Sequence, residues 1–327
     1  MKDFLSKSVS FLLLVFLFVS CAHQPSRAYY CPMKCEGTKV YSKAGTCPVC
    51  GMSLVTGDSL KNRLHSKKYS LDLETSPSPV VAGKKVTLNF FPRFKESGKI
   101  IEDLSVVHEK VFHLFLVSED LNWFFHEHPS RNPDGSFKLD FKFPVGGNFS
   151  LYGDITPKDE PNQVFPIALS VGGKPSAKAF PKAEKLSWSE GDYRIELTPV
   201  TKAPSARLTY QLYYKKKPLQ GLQSYLGADG HSLILSWDML DYVHAHPITQ
   251  NTAPAGGGDH GSHGGHHHHE AEEAGNPQTS LEGEVVFLAN LPRKTYYRVW
   301  TQFKHREKII TADFVVDASS AAPAESD

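Results

Sequence analysis

The 327-residue sequence lacks a charge imbalance, long apolar runs beyond its first segment, and catalytic motifs. Lys and Arg number 36 against 35 Asp and Glu, a formal net charge of +1, so a nucleic-acid-binding surface is not indicated. After residue 21, no apolar run approaches the roughly 20 residues that a membrane span needs. Because no Ser-His-Asp set, paired catalytic carboxylates or phosphate-binding loop can be recognised, we do not expect an enzyme.

Cysteine is scarce, with five residues, and the first stands at the end of a predicted export signal. Lys2 and Lys7 precede an apolar run over 9–19 that is interrupted by Ser10 alone and has the length of a signal-peptide core. The following Phe-Val-Ser-Cys resembles a bacterial lipobox, in which Cys21 would be lipidated. We therefore predict a lipoprotein-type signal peptide over 1–21 and a lipid anchor in the bacterial cell envelope. Cleavage after Ala28, which would leave a soluble periplasmic protein, is the alternative.

The chain contains an internal repeat. The segment HLFLVSEDLNWFFHEHP, which begins at His113, aligns without gaps to HSLILSWDMLDYVHAHP, which begins at His231. The offset is 118 residues there and 148 residues later, where Phe143-Pro144 matches Leu291-Pro292. The second copy therefore carries an insertion of about 30 residues, which corresponds to the Gly/His/Glu-rich stretch 251–278.

Within each copy, apolar residues alternate with polar ones in short runs separated by Pro, Gly and Asp-Gly turns, a pattern typical of antiparallel strands. The clearest runs are 85–91, 136–143, 148–155, 206–214, 283–291 and 296–303. We predict a mainly β protein, in which a small Cys-rich module at 29–57 precedes two tandem immunoglobulin- or cupredoxin-like antiparallel β-sandwiches at 69–173 and 192–317. The Pro/Lys/Ser-rich stretch 174–191 is predicted to be a linker, and 318–327 a disordered tail.

The Cys-rich module gathers soft donor atoms. It contains Cys31, Met33, Cys35, Cys47, Cys50 and Met52. Two close cysteine pairs, with 11 residues between them, can bring four sulfurs to one tetrahedral centre. The methionine thioethers favour Cu(I). Two structural disulfides are the alternative in an oxidising compartment. A redox pair is disfavoured, because no thioredoxin-like βαβ pattern surrounds it.

The motif YYCPMKCEG…GTCPVCGMSLV resembles the heavy-metal-binding module at the N-termini of copper-exporting P-type ATPases and of adaptor subunits of heavy-metal efflux pumps. The matching positions are Tyr29, Cys31, Pro32, Met33, Cys47, Pro48, Cys50, Gly51, Met52 and Leu54. Lys34-Cys35 departs from it, because the family has His-Pro there. With the two His-x-His-Pro repeats, the chain resembles exported bacterial proteins in which such sandwiches follow this module. The resemblance implies copper or zinc binding.

Each repeat offers three candidate nitrogen ligands. They are His113, His126 and His128 in the first repeat and His231, His244 and His246 in the second. In an extended chain, residues i and i+2 project to the same face about 6–7 Å apart, so both imidazoles of a His-x-His pair can reach one ion. The alternative is that these histidines brace the fold by hydrogen bonds to the backbone. Asp120 and Asp238 are expected to cap turns rather than bind metal.

The insertion holds six of the 16 histidines: His260, His263, His266, His267, His268 and His269. We predict a disordered loop that captures metal ions, since neutral imidazole binds Cu(II), Ni(II) and Zn(II). A solvated insertion without a role is the alternative.

These features predict an envelope protein that binds copper or zinc ions for sequestration, buffering or hand-over to an efflux or uptake system. One alternative is a structural or interaction lipoprotein built from tandem immunoglobulin-like sandwiches, with a disulfide-stapled N-terminal module. The other is a copper-dependent redox enzyme.

Overall fold

The computed structural model describes residues 28–31, 39–45, 47–48, 54–56, 66–176, 180, 182–202, 205–248 and 282–319. Within these ranges the protein is all-β, with antiparallel sheets and no helix. The described part of the chain accordingly contains no helix that could cross a membrane. The prediction of a mainly β fold with a small N-terminal module is confirmed.

The N-terminal module contributes one short antiparallel pair of strands. Strand β1 (Tyr29–Tyr30) pairs with β2 (Val55–Thr56), and Tyr29 also forms a bridge with Tyr41. These pairings hold the two ends of the Cys-rich segment side by side.

The first sandwich has two four-stranded sheets, an inner sheet that faces the second sandwich and an outer sheet on the far side. The strands of the outer sheet are β3 (Tyr69–Ser76), β4 (Lys85–Phe94), β7 (Ser130–Arg131) and β8 (Phe137–Lys142), in the order β3-β4-β8-β7. The inner sheet has β5 (Phe112–Ser118), β6 (Phe124–Glu127), β9 (Gly147–Ile155) and β10 (Gln163–Val171), in the order β10-β9-β5-β6. Leu88, Phe90, Leu114 and Leu116 lie in the core between them.

The second sandwich has two five-stranded sheets. Its outer sheet contains β11 (Ser187–Glu190), β12 (Tyr193–Lys202), β13 (Ser205–Tyr214), β14 (Lys217–Pro218) and β18 (Glu284–Asn290), where β18 pairs with β13. Its inner sheet contains β15 (Leu222–Gln223), β16 (His231–Ser236), β17 (Tyr242–Ala245), β19 (Tyr296–His305) and β20 (Lys308–Asp317). The order is β15-β19-β16-β17, and β20 pairs with β19.

All six alternating runs form strands: β4, β8, β9, β13, β18 and β19. The segment 174–191 differs from the prediction, because it contains β11, which pairs with β12. Trp188 of β11 packs against the core of the second sandwich. A four-residue strand with one apolar side chain is too short for its alternation to be recognised.

The central strands β5 and β16 are buried along their whole length. Leu114 and Leu116 face the core of the first sandwich, whereas their neighbours Phe115 and Val117 point to the opposite face of the sheet. A third cluster joins the two inner sheets: Phe115, Val117, Leu121, Tyr152 and Val164 from the first sandwich, and Leu233, Leu235 and Trp300 from the second. The Trp300 ring stacks on Phe124, with centroids 5.0 Å apart. The inner sheets therefore pack against each other, and equivalent positions of the two repeats face across the interface.

Candidate metal centre

Seven histidines meet where the two inner sheets pack together. His113 lies on β5, His126 on β6 and His128 just after it; His231 lies on β16, His244 on β17 and His246 just after it. The seventh, His108, precedes β5 in a tight turn closed by backbone bonds between Val107 and Lys110. Six of them come from the six positions that the repeat predicts.

The histidines of the first repeat form one compact triad of His113, His126 and His128. Their candidate ligand nitrogens all lie within 4.8 Å of one another. His113 Nδ1 and His126 Nε2 are 3.1 Å apart, which matches the ~3.3 Å between two nitrogens that bind a tetrahedral ion at ~2.0 Å. The rings of His126 and His128 are 4.6 Å apart, so the His-x-His pair converges as the extended chain predicts.

The second triad, His231, His244 and His246, repeats this geometry. Its nitrogens also fit within 4.8 Å, and the rings of its His-x-His pair are again 4.6 Å apart. His231 lies 4.5 Å from His246 and 5.8 Å from His244, between ring centroids. All three side chains are buried, whereas His128 of the first triad is half-buried.

The histidine at the start of each central strand is oriented by a backbone carbonyl. His113 Nε2 donates to the carbonyl oxygen of Val107 at 2.9 Å, and His231 Nε2 donates to that of Tyr225 at 2.8 Å. Val107 and Tyr225 are equivalent positions of the repeat. Because Nε2 carries the proton, Nδ1 of each ring presents its lone pair to the centre.

The first histidine of each His-x-His pair is held by a side chain from the other repeat. His126 Nδ1 donates to Gln302 Oε1 at 2.8 Å, and His244 Nδ1 donates to Asp154 Oδ2 at 3.3 Å. Gln302 and Asp154 are equivalent positions, 148 residues apart. The two sandwiches therefore exchange acceptors across their interface, and each leaves an Nε2 lone pair facing the centre.

Several buried imidazole nitrogens have no hydrogen-bond partner in the described part of the chain. They are His108 Nε2, His128 Nε2, His231 Nδ1, His244 Nε2, and both His246 nitrogens. In the first triad, two unprotonated nitrogens, His113 Nδ1 and His126 Nε2, face each other. Unpaired buried ring nitrogens are unfavourable, and so are facing lone pairs unless a cation lies between them.

Burial keeps six of these seven imidazoles neutral. Desolvation, assisted by the neighbouring imidazoles, lowers the pKa of His113 to about 4 and the pKa values of His108 and His128 to about 3. The same causes hold the pKa values of His126, His231 and His246 well below the ordinary range. Neutral imidazole is the form that binds metal ions.

The sequence repeat does not predict His108 as a member of the centre. Its ring stacks on His246 with centroids 3.7 Å apart and lies 5.5 Å from His231, so it belongs to the second repeat's side of the centre. Its counterpart in the repeat is Leu226, and both residues adopt positive φ angles, 48° and 53°. The positions shared by both copies therefore do not include it. Its place shortly before β5 in the sequence is the signal that points to it.

Asp120 and Asp238 cap turns. Asp120 Oδ1 accepts the backbone N–H of Asn122, and Asp238 Oδ1 accepts that of Leu240. Asp238 also forms a bidentate pair with Arg293, at 2.6 and 2.7 Å. Neither carboxylate belongs to a triad.

Two cysteines of the N-terminal module are described, and both are buried. Cys31 and Cys47 pack with Leu54, and Val107 lies against this cluster. Val107 is the residue whose carbonyl orients His113. The module therefore contacts the same turn that carries His108.

The remaining predicted site residues lie outside the described residues. They are Cys21, Met33, Cys35, Cys50 and Met52, together with His260, His263, His266, His267, His268 and His269 of the loop. Their assignments stay predictions.

Two families match the chain. Residues 28–56 match the heavy metal binding domain, so the predicted resemblance of the cysteine module is confirmed. Residues 65–172 and 188–320 match a family described as a domain of unknown function, DUF8832. The chain belongs to the DUF8832 family. The two DUF8832 segments contain one histidine triad each, and together with the N-terminal domain they cover most of the sequence.

No protein of curated function matches this DUF8832 chain in sequence. Among solved structures, it is similar to the Escherichia coli adhesin FdeC (12% identity, 81% of this chain, 67% of the other, TM-score 0.24). It is also similar to a marsupial T cell receptor (11%, 77% and 98%, 0.21) and the Yersinia pseudotuberculosis adhesin InvE (12%, 76% and 60%, 0.22). At these TM-scores the likenesses say nothing about what the chain binds.

Proposed function

We propose that this DUF8832 protein is a copper- or zinc-binding protein of the bacterial cell envelope, which sequesters or buffers metal ions or hands them over to an efflux or uptake system. The observation that carries the proposal is the set of buried, unpaired imidazole nitrogens that converge from both repeats. A heavy metal binding domain in the same chain supplies sulfur donors.

The energetic cost of the histidine centre favours a ligand over a bracing role. Each buried donor or acceptor without a partner costs about 1–3 kcal/mol, and six such ring nitrogens lie together. Histidines that merely braced the fold would have both ring nitrogens paired, whereas His246 has neither paired within the described chain. Binding of a cation to the lone pairs removes this cost.

The contact between the cysteine module and the histidine centre supports hand-over within the chain. Cys31 and Cys47 pack near Val107, and the next residue, His108, already lies among the imidazoles. Soft thiolates bind Cu(I) and Zn(II) tightly, while imidazoles bind both with faster exchange. An ion could therefore pass from one donor type to the other over a short path.

Metal titration with one triad removed tests the proposal. The demetallated protein with reduced thiols is expected to bind copper and zinc at micromolar concentrations near neutral pH. The double variant His126→Ala/His128→Ala should bind one equivalent of Cu(I) less than the wild type. His305→Ala is the matched control, because His305 is buried and bonded to Tyr193 on the opposite side of the second sandwich's inner sheet from the centre.

An unchanged Cu(I) count in the double variant would assign His126 and His128 a structural role. A thiol count on protein prepared without oxygen addresses the module at the same time. Reduced cysteines together with bound metal support metal handling, whereas no reactive thiols and no metal uptake would support a disulfide-stapled structural protein.

A further inference from the structure

We propose that the two histidine triads form one two-ion centre, shared by both sandwiches, which fills with two Cu(I) ions but with a single Zn(II) ion. This inference rests on the proposed function, since it requires that the imidazoles bind metal. It goes beyond that function by stating how many ions the centre holds and which ion charge the centre prefers.

The shortest distances between rings of different triads are close to the longest distance within one triad, so the two triads form one centre. The rings of His113 and His244, which belong to different triads, are 5.6 Å apart, and those of His126 and His231 are 6.0 Å apart. The rings of His231 and His244, within one triad, are separated by 5.8 Å. An ion in one triad is therefore a near neighbour of an ion in the other.

The two triads nevertheless provide two coordination sites. Copper and zinc take about four donors, so six imidazoles exceed what one ion binds. The nitrogens that fit within 4.8 Å of one another fall into two groups of three, one from each repeat. Each triad can therefore hold its own ion, with a further position left for another donor.

The charge of the surroundings limits how much positive charge the centre can hold. All the donors are imidazoles, which add no negative charge when they bind an ion, and Asp154 is the carboxylate that bonds one of them in the described structure. Lys110 opposes cations, because it brings a positive charge to the turn that carries His108. Two Cu(I) ions bring a charge of +2, whereas two Zn(II) ions bring +4 against one buried carboxylate.

Repulsion between two bound ions also favours monovalent over divalent ions. At equal separation, two divalent ions repel each other four times as strongly as two monovalent ions. The centre is buried, so water and salt screen this repulsion weakly. A first Zn(II) should therefore exclude a second, whereas two Cu(I) ions can be held together.

Single variants at equivalent positions test the inference. His128→Ala and His246→Ala each remove one nitrogen from one triad, and the double variant removes one from both. Metal counts are taken on the full chain, with a competing chelator, as differences from the wild type, so the cysteine module and the His-rich loop cancel. His305→Ala is the control, and circular dichroism melting checks the fold.

For Cu(I), we expect each single variant to lose one equivalent and the double variant to lose two. For Zn(II), each single variant should lose none, because the ion occupies the intact triad, and the double variant should lose one. If each single variant loses one Zn(II), the triads are independent sites and the shared centre is refuted. A loss of one Cu(I) in the double variant would likewise refute it. No change for either metal in any variant would refute the proposed function itself.

Discussion

Asp154 is the side chain through which the charge of the centre can be changed with the least change in shape. It is buried on β9, where it accepts hydrogen bonds from His244 Nδ1 at 3.3 Å and from the Tyr242 hydroxyl at 3.2 Å, and it is bonded to Asn162. Its negative charge acts on residues of both repeats, since it bonds His244 and raises the pKa values of His108 and His113 against the larger effect of desolvation. Asp154→Asn keeps the shape and one acceptor oxygen, which can serve His244 and Tyr242, but removes the charge.

The expected effect is a large loss of metal affinity with little loss of fold. Replacement of a group that orients a metal-binding histidine weakens binding about 10- to 100-fold, which corresponds to about 1.4–2.7 kcal/mol. The metal-free protein should unfold at nearly the wild-type temperature, because the amide can still accept the bond from His244. The charge that is lost matters only when a cation is present.

Competition titration against a chelator, paired with thermal unfolding of the metal-free form, measures both quantities. Asp140→Asn is the matched control: Asp140 lies on β8 of the same sandwich, bonds Thr87, and is exposed. It removes the same charge without a contact to the centre. Wild-type affinity in Asp154→Asn would show that this carboxylate does not support a bound ion, and the charge argument for the centre would fail.

Two further predictions concern the framework of the centre. Trp300→Ala removes the ring stacked between the inner sheets. It should lower the free energy of unfolding by about 3–5 kcal/mol in urea titrations and weaken metal binding. Unaltered stability would mean that the sheets do not depend on this contact. Asp238→Asn should cost about 1 kcal/mol at neutral pH, the value of a partly exposed bidentate pair. Arg293 lowers the pKa of Asp238 below its usual value. The contribution of this pair to the free energy of unfolding is therefore present above about pH 4, and it is lost as the pH falls toward the lower pKa of the folded state. The stability difference between wild type and variant should therefore shrink on acidification, and a constant difference would contradict the role assigned to the pair.

The strands were predictable from local pattern because a half-buried strand alternates with period two. β4 and β8 follow this rule over most of their length. β5 and β16 do not, since they are buried on both faces. The short apolar runs within them, residues 114–117 and 233–235, are explained by a third packing layer between the inner sheets. β11 escaped prediction because its pairing with β12, rather than its own four residues, makes it a strand.

The histidines divide in the same way. The two histidines of each His-x-His pair were predicted to converge, because residues two positions apart on a strand point to the same face. His108 was not predicted, because its side chain reaches the centre through a turn with a positive φ angle, and its counterpart in the repeat is Leu226. The roles of Gln302 and Asp154 were also not predictable, since each acts on a histidine of the other repeat.

The sequence by itself determined which residues are equivalent, which runs are strands and which histidines share a face, because these properties depend on residues close together in the chain. Tertiary structure alone decided that the two triads form one cluster. Apolar side chains of two inner sheets, separated by more than 100 residues, pack together to exclude water, and that packing brings six equivalent imidazoles and a seventh into one buried site.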